Sequence, residues 1–277
     1  MTWRKNQLDL FDSMMEKKYK LTDETIIHCG RELHRIESLC NFNGIEIGQK
    51  GGFIENEINL SHNGNCWVFG NAKVYDNAAV SEDAKVCYNA EVWGHARVFG
   101  NALIDGYAKV KGAARIHDYA DISGHSIIDG YSHVFDKACI ADSAHIRDNA
   151  RVYGEALVKG GAVIEGWAEV YGDTIVKDMA NIFGKSKVYN HAFVEGNANI
   201  YNAEIKDSSD YIVFKNWWSS YRYFTWTRSN NMWLVGCFYG TGKQLIEKAY
   251  KDSELSGREY KRIVDYVESI LKDNKYE

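Results

Sequence analysis

The stretch EVWGHARVFGNALIDGYAKVKG, residues 91–112, sets an aliphatic residue at every sixth position: Val92, Val98, Ile104 and Val110. Ala90, Ala96, Ala102 and Ala108 stand two places before them. Helices repeat near 3.6 residues and strands near 2, so neither alone counts in sixes. Followed in both directions, the pattern runs unbroken from Val68 to Ile200, twenty-three consecutive positions that are all Val or Ile. The residue two before is Ala, or else Cys66, Ser126, Ser132, Thr174 or Ser186. The residue two after is usually Gly, Asp or Asn. Such a repeat constrains the fold more than any other feature of the chain.

Val and Ile are β-branched and favour strands. One inward side chain per six residues predicts a short strand followed by a corner. Three sides close a triangle of eighteen residues, with the Val or Ile at the axis and its two neighbours outward. Gly or Asn at the corner supplies the left-handed backbone that a tight corner uses. Triangles stack about 4.8 Å apart through parallel ladders. The repeat predicts between seven and eight coils, hence a mainly β chain.

Strict sixes resemble the hexapeptide-repeat, left-handed parallel β-helix. Ahead of the repeat, Gly51, Gly52, Phe53, Glu55, Asn59, Leu60, Ser61, Gly64, Asn65, Cys66 and Trp67 resemble the β-helix entry of YdcK-like proteins, a type found in phages and gut bacteria. That resemblance implies a β-helix protein, often labelled a transferase by fold alone, and no catalytic residue to carry over. One fold hosts many activities.

The open ends of a stacked coil expose strand edges and need caps. Three segments follow: an N-terminal cap at 1–65, the left-handed β-helix at 66–206, and an aromatic-rich α+β module at 207–277. The cap is expected to hold a short helix carrying Leu8, Leu10, Phe11, Met14 and Met15, then a hairpin turning near Gly30. In the C-terminal module, SYRYFTWTR and MWLVGCFY alternate as strands around Ser229, Asn230 and Asn231. Two helices come next, with capping boxes at Thr241/Gln244 and Ser256/Glu259. The module either caps the coils or folds back along them. CFYGTGKQ departs from a phosphate loop, with Cys237 in place of the first glycine and Gln244 after the lysine, and reads as a strand-to-helix turn.

Sorted by eighteens, one outer face carries Ser81, Phe99, His117, Phe135, Tyr153, Tyr171 and Tyr189 after the aliphatic position. Before it stand Ala79, Arg97, Arg115, His133, Arg151, Glu169 and Lys187. An aromatic ladder beside a largely basic one admits three uses: internal stacking with cation–π contacts, a protein interface, or an anionic strand such as a nucleic acid. A second face carries Leu103, Cys139, Leu157, Ile175 and Phe193, interrupted by Asp121, an apolar strip that calls for cover. The third mixes Lys109, Lys111, Asp129, Arg147 and Glu165 and should meet solvent.

Net charge is −5, so bulk charge gives no pull toward nucleic acid or anionic membranes. No run of eighteen apolar residues suggests a membrane span, and the charged start does not resemble a signal peptide. A cytoplasmic protein is expected. The six cysteines form no C-x-x-C pair and read as free thiols. There is no proline, leaving Gly, Asn and Asp to make the corners.

Hexapeptide-repeat proteins include many acyltransferases that use a histidine at a subunit boundary. If this chain is an acyl-CoA-dependent O- or N-acyltransferase, His117 and His133, about 7–8 Å apart on adjacent coils, are the general-base candidates. No loop is inserted into the repeat to wall an acyl-donor site, and no H-x-x-x-x-H suggests a zinc triad. The expectation is therefore a non-catalytic, rigid binding or scaffold protein without cofactor or metal, working as a dimer or trimer. Its partner would be a protein, such as a host factor sequestered by a phage-type protein. The expected contact residues are Arg97, Phe99, Arg115, Phe135, Arg151, Tyr153, Tyr171 and Tyr189, with Trp217, Trp218, Trp226 and Trp233 of the C-terminal module.

Overall fold

A computed structural model describes residues 17–273. The N-terminal helix expected around Leu8–Met15 lies outside the described residues. The chain divides into two compact units, Met1–Lys137 and Ala138–Glu277. Each carries four coils of a parallel β-solenoid, about eight in all, built from strands mostly two residues long.

All twenty-three repeat positions point inward: Val80 is 1 % exposed and the other twenty-two are fully buried. In the first unit the ladders run Val68, Val86, Ile104, Ile122 on one side. Val74, Val92, Val110, Ile128 form the second side, and Val80, Val98, Ile116, Val134 the third. In the second unit they run Ile140, Val158, Val176, Val194, then Ile146, Ile164, Ile182, Ile200. The last is Val152, Val170, Val188, Ile205. Every step is eighteen residues except the final one. Ile205 follows Ile200 by five, and this slip hides a twenty-fourth inward residue from a strict count. At the other end, Ile54 pairs with Val74 and Leu60 bridges Val80, so the repeat begins one partial coil earlier.

The corners explain the residue two places after each Val or Ile. From Gly70 to Asn202, all twenty-three have φ between 49° and 74°. At Gly160 the requirement is double: φ is +70°, and a Cβ would lie 2.8 Å from the backbone N of Asp178 on the next coil. At several corners where Asp replaces Gly, its carboxylate accepts from the backbone N–H of the corner above. Asp142 takes Gly160 N at 3.0 Å, Asp148 takes Gly166 N at 3.1 Å, and Asp178 takes Gly196 N at 3.0 Å.

The first unit is closed by the N-terminal cap. Antiparallel strands Tyr19–His28 and Arg31–Ser38 turn at Cys29 and Gly30, both with positive φ, as the hairpin pattern predicts. Strand Lys50–Ile54 joins this hairpin to the first coil. Asn59 donates its side-chain amide to Asp76 O and Ala78 O, and the Tyr19 hydroxyl donates to Leu60 O. Edge carbonyls of the coil thus find donors. Leu33, Phe53, Tyr75, Ile26 and Trp93 pack beside the hairpin.

In the second unit the C-terminal module caps the last coil. Its antiparallel sheet orders Tyr211–Lys215, Tyr223–Thr227, Met232–Val235 and Phe238–Gly240. The expected strand MWLVGCFY breaks in two at Gly236, where φ is +56°. The last coil has no successor, so its edge N–H groups turn to side-chain oxygens of the module. Phe193 N donates to Ser208 Oγ at 3.3 Å, Glu195 N to the Tyr211 hydroxyl at 3.1 Å, Asn199 N to Thr225 Oγ1 at 2.9 Å and Glu204 N to Ser229 Oγ at 2.8 Å.

Helices Gly242–Asp252 and Glu254–Asp273 cover the other face of that sheet. The Thr241/Gln244 capping box forms as expected. The Ser256/Glu259 box does not: Ser256 lies inside the second helix, and its N–H is capped by Ser253 Oγ at 3.0 Å. The helices meet so closely that the Tyr250 ring sits 2.2 Å from where a Cβ on Gly257 would be. Among the described residues no helix is long and apolar enough to cross a membrane.

Candidate functional site

A solenoid with an eighteen-residue step brings the residues that flank each inward Val or Ile into register. In the first unit this stacks Phe99 on His117 with centroids 4.7 Å apart, and His117 on Phe135 at 5.1 Å. Arg97, Arg115 and His133 are register partners beside that stack, and both arginines are exposed. Each ring is half-buried, offering an edge and a cationic margin.

In the second unit Tyr153 stacks on Tyr171 at 4.8 Å, and Tyr171 on Tyr189 at 5.2 Å. The Arg151 guanidinium lies 5.5 Å from the Tyr153 ring centre. Beside the rings Arg151, Glu169 and Lys187 alternate in sign. The Tyr153 hydroxyl donates to Glu169 at 3.1 Å and the Tyr189 hydroxyl to Glu204 at 3.1 Å. Burial, reinforced by the Glu169 charge, pushes the Tyr153 phenol up to about 12. The two columns therefore differ: the first is basic, while the second is tyrosine-rich and ties its hydroxyls to carboxylates.

The four module tryptophans separate. Trp226 and Trp233, expected to contact a partner, are each 1 % exposed and pair across adjacent strands in the module's core with Phe224, Leu245 and Val264. They have no surface to offer. The cause is that strand Tyr223–Thr227 is covered on both sides, by the helices and by the last coil. Trp218 is half-buried against the Tyr260 ring. Trp217 is 61 % exposed, at the start of a loop with Tyr221. Asn216, 3 % exposed, stiffens that loop: its Oδ1 accepts from Ser219 N and its Nδ2 donates to the Tyr260 hydroxyl.

Sequence reasoning missed a set of corner aromatics. Tyr88, Tyr107, Tyr119, Tyr131 and Trp167 are all more than half exposed. Tyr107 stacks on His125 at 5.0 Å. Tyr88 holds φ at +58°, a conformation costly for an aromatic residue. The available signal was an aromatic residue where the pattern otherwise places Gly, Asn or Asp.

On the apolar strip, Cys139, Leu157, Ile175 and Phe193 are register partners and half-buried. Asp121 of the first unit buries its Oδ1 without a hydrogen-bond partner, and burial, followed by the Asp105 charge, raises its pKa. On the mixed face Lys111 pairs with Asp129 at 3.6 Å, and Arg147 pairs with Glu165.

The general-base candidates stand in different settings. His117 Nδ1 lies 3.0 Å from Asp118 Oδ2, the acidic partner a base would use, yet Phe99 and Phe135 cover both ring faces. His133 sits in register with Arg115. A cleft of about 590 Å³ in the second unit is lined by Phe193, Glu195, Asn197, Tyr211 and Tyr223 among others, and by no histidine. Among the described residues no group of three or more His, Cys, Asp or Glu is placed to hold a metal ion. The chain matches no known family model and no curated protein sequence.

Proposed function

We propose that this protein is a non-catalytic, rigid scaffold that binds a macromolecular partner, most naturally another protein. Arg97, Phe99, Arg115 and Phe135 of the first unit form one contact, and Arg151, Tyr153, Tyr171 and Tyr189 of the second another. Trp217 and Trp218 add a third. The observation that carries this reading is the ring stacking at 4.7–5.2 Å within each column, with Arg97, Arg115 and Arg151 exposed beside it. Stacked side chains on a β-solenoid surrender little entropy on binding, and aromatics with arginine are the residues enriched in interface hot spots. The sandwiched His117 ring gives no comparable support to acyl transfer.

The G-N-C-W stretch at Gly64–Trp67 and the Gly51–Ser61 entry support a YdcK-like type. On that basis the partner is a host factor held by a phage-type protein in the cytoplasm, and the scaffold works as a homo-oligomer. The test starts with a partner captured from the native host and then purified. Arg115→Glu and Tyr171→Ala should each weaken its binding at least tenfold, while circular dichroism shows each variant folded at the assay temperature. Unchanged affinity in both variants, or saturable acyl-CoA binding lost in His117→Ala, would replace the scaffold with the transferase.

A further inference from the structure

Gly64, Asn65, Cys66 and Trp67 lead into the first coil, and one side chain reaches into their midst. Lys18 Nζ donates to Gly64 O at 3.2 Å and to Cys66 O at 2.9 Å. It also lies 3.3 Å from Cys66 Sγ. Lys18 is 4 % exposed and Cys66 is fully buried. These three contacts are two carbonyls and a thiol, so no carboxylate among them balances the ammonium. The Phe42 ring stands 5.2 Å away. Burial raises the Cys66 thiol pKa, and Lys18 pulls it back.

We propose that Lys18 and Cys66 are an oxidative cross-linking site, joined reversibly through a single oxygen as Nζ–O–Sγ. Both partners are held at contact distance before any reaction, which removes the entropic cost of bringing them together. Burying an ammonium among two carbonyls and a thiol removes it from water, and the product is neutral.

The co-reactant is dioxygen. The ammonium first releases one proton to solvent. One Nζ–H and the Sγ–H bond then break, N–O and O–S bonds form, and the second oxygen atom leaves as water. Nitrogen and sulfur each lose two electrons, and dioxygen takes up all four. Two equivalents of dithiothreitol, each oxidised to its disulfide, supply the four electrons that reduce the link: the N–O and O–S bonds break, the bridging oxygen leaves as water, and lysine and cysteine are restored. The link closes the chain between residues 18 and 66, fixing the N-terminal hairpin to the first coil. This site is independent of the proposed partner contacts.

The wild-type chain should be divided into an air-exposed sample and a sample kept in dithiothreitol, and both measured by intact-mass spectrometry and peptide mapping. The exposed sample should gain about 14 Da, one oxygen less two hydrogens, and lose it on reduction. Mapping should join the Lys18 peptide to the Cys66 peptide, and the exposed sample should melt at the higher temperature. Cys66→Ser and Lys18→Met should each abolish the gain. Full alkylation of Cys66 in the exposed, denatured sample would overturn the proposal. So would a disulfide or sulfinic acid at Cys66 beside an unmodified Lys18, or a gain that survives in Cys66→Ser. The wild-type measurement decides even if a variant does not fold.

Discussion

Asp178 separates the two demands that a coil corner makes. Its φ is +61°, and its Oδ2 accepts from Gly196 N at 3.0 Å. Replacing it with Gly removes the left-handed strain but also the acceptor. Replacing it with Ala removes the acceptor and keeps the strain. The two variants lose the same hydrogen bond, so their difference isolates the backbone. Left-handed strain in an L-residue costs about 1–2 kcal/mol. The greater chain freedom of unfolded glycine offsets about 0.5–1 kcal/mol of that. The Asp178→Gly variant should therefore be more stable than Asp178→Ala by about 1 kcal/mol, a melting gap of about 2–4 °C. Asp178→Asn keeps an acceptor and tolerates the conformation, and should melt near the wild type. Thermal denaturation followed by circular dichroism reads all three. An Ala variant that equals or exceeds the Gly variant would refute the left-handed corner.

Four further outcomes bear on the caps and the surface. Trp233→Ala should cost about 3–5 kcal/mol, whereas Trp217→Ala should leave urea denaturation unchanged. Thr225→Val strips the acceptor from Asn199 N and should cost about 1–3 kcal/mol in the same assay. Tyr88→Gly relieves an exposed, left-handed aromatic residue and should raise the melting temperature; a lower one would contradict the strain. The raised Tyr153 pKa means that the folded state favours the neutral phenol. Its contribution is complete below the ordinary value of 10.0 and fades as pH climbs toward about 12, so alkaline titration should show tyrosinate and unfolding rising together in that window, with Tyr153→Phe delaying both.

The coil was legible because its period is strict and its chemistry local: a β-branched residue inward, a small residue before it, a left-handed residue after it. Where the period slips, at Ile205, or where another chain geometry intrudes, between Leu60 and Val68, the pattern lost sight of inward residues that the structure recovers. The columns of rings followed from arithmetic on the same period. The module tryptophans did not. Trp226 and Trp233 lie in alternating strands like any surface pair, and only the helices on one side and the last coil on the other decide that they are core. The cap at the C-terminal end was expected, but the contacts that make it were equally invisible, since Thr225, Ser229 and Tyr211 meet their donors across sixteen to twenty-six residues. Lys18 and Cys66, forty-eight apart, carry no mutual signal either.

All of the outward columns depend on which neighbour of each strand faces the axis, and residues 151 and 152 put that to the sharpest test. Val152 is fully buried and Arg151 is exposed. An aspartate at 152 forfeits about 1.5–3 kcal/mol of burial and adds several kcal/mol for a carboxylate out of water, whereas one at 151 remains hydrated. Melting curves of Val152→Asp and Arg151→Asp, recorded side by side, should show the first unfolded or insoluble and the second close to wild type. Two curves that coincide, or a Val152→Asp protein that melts like the parent, would contradict the account.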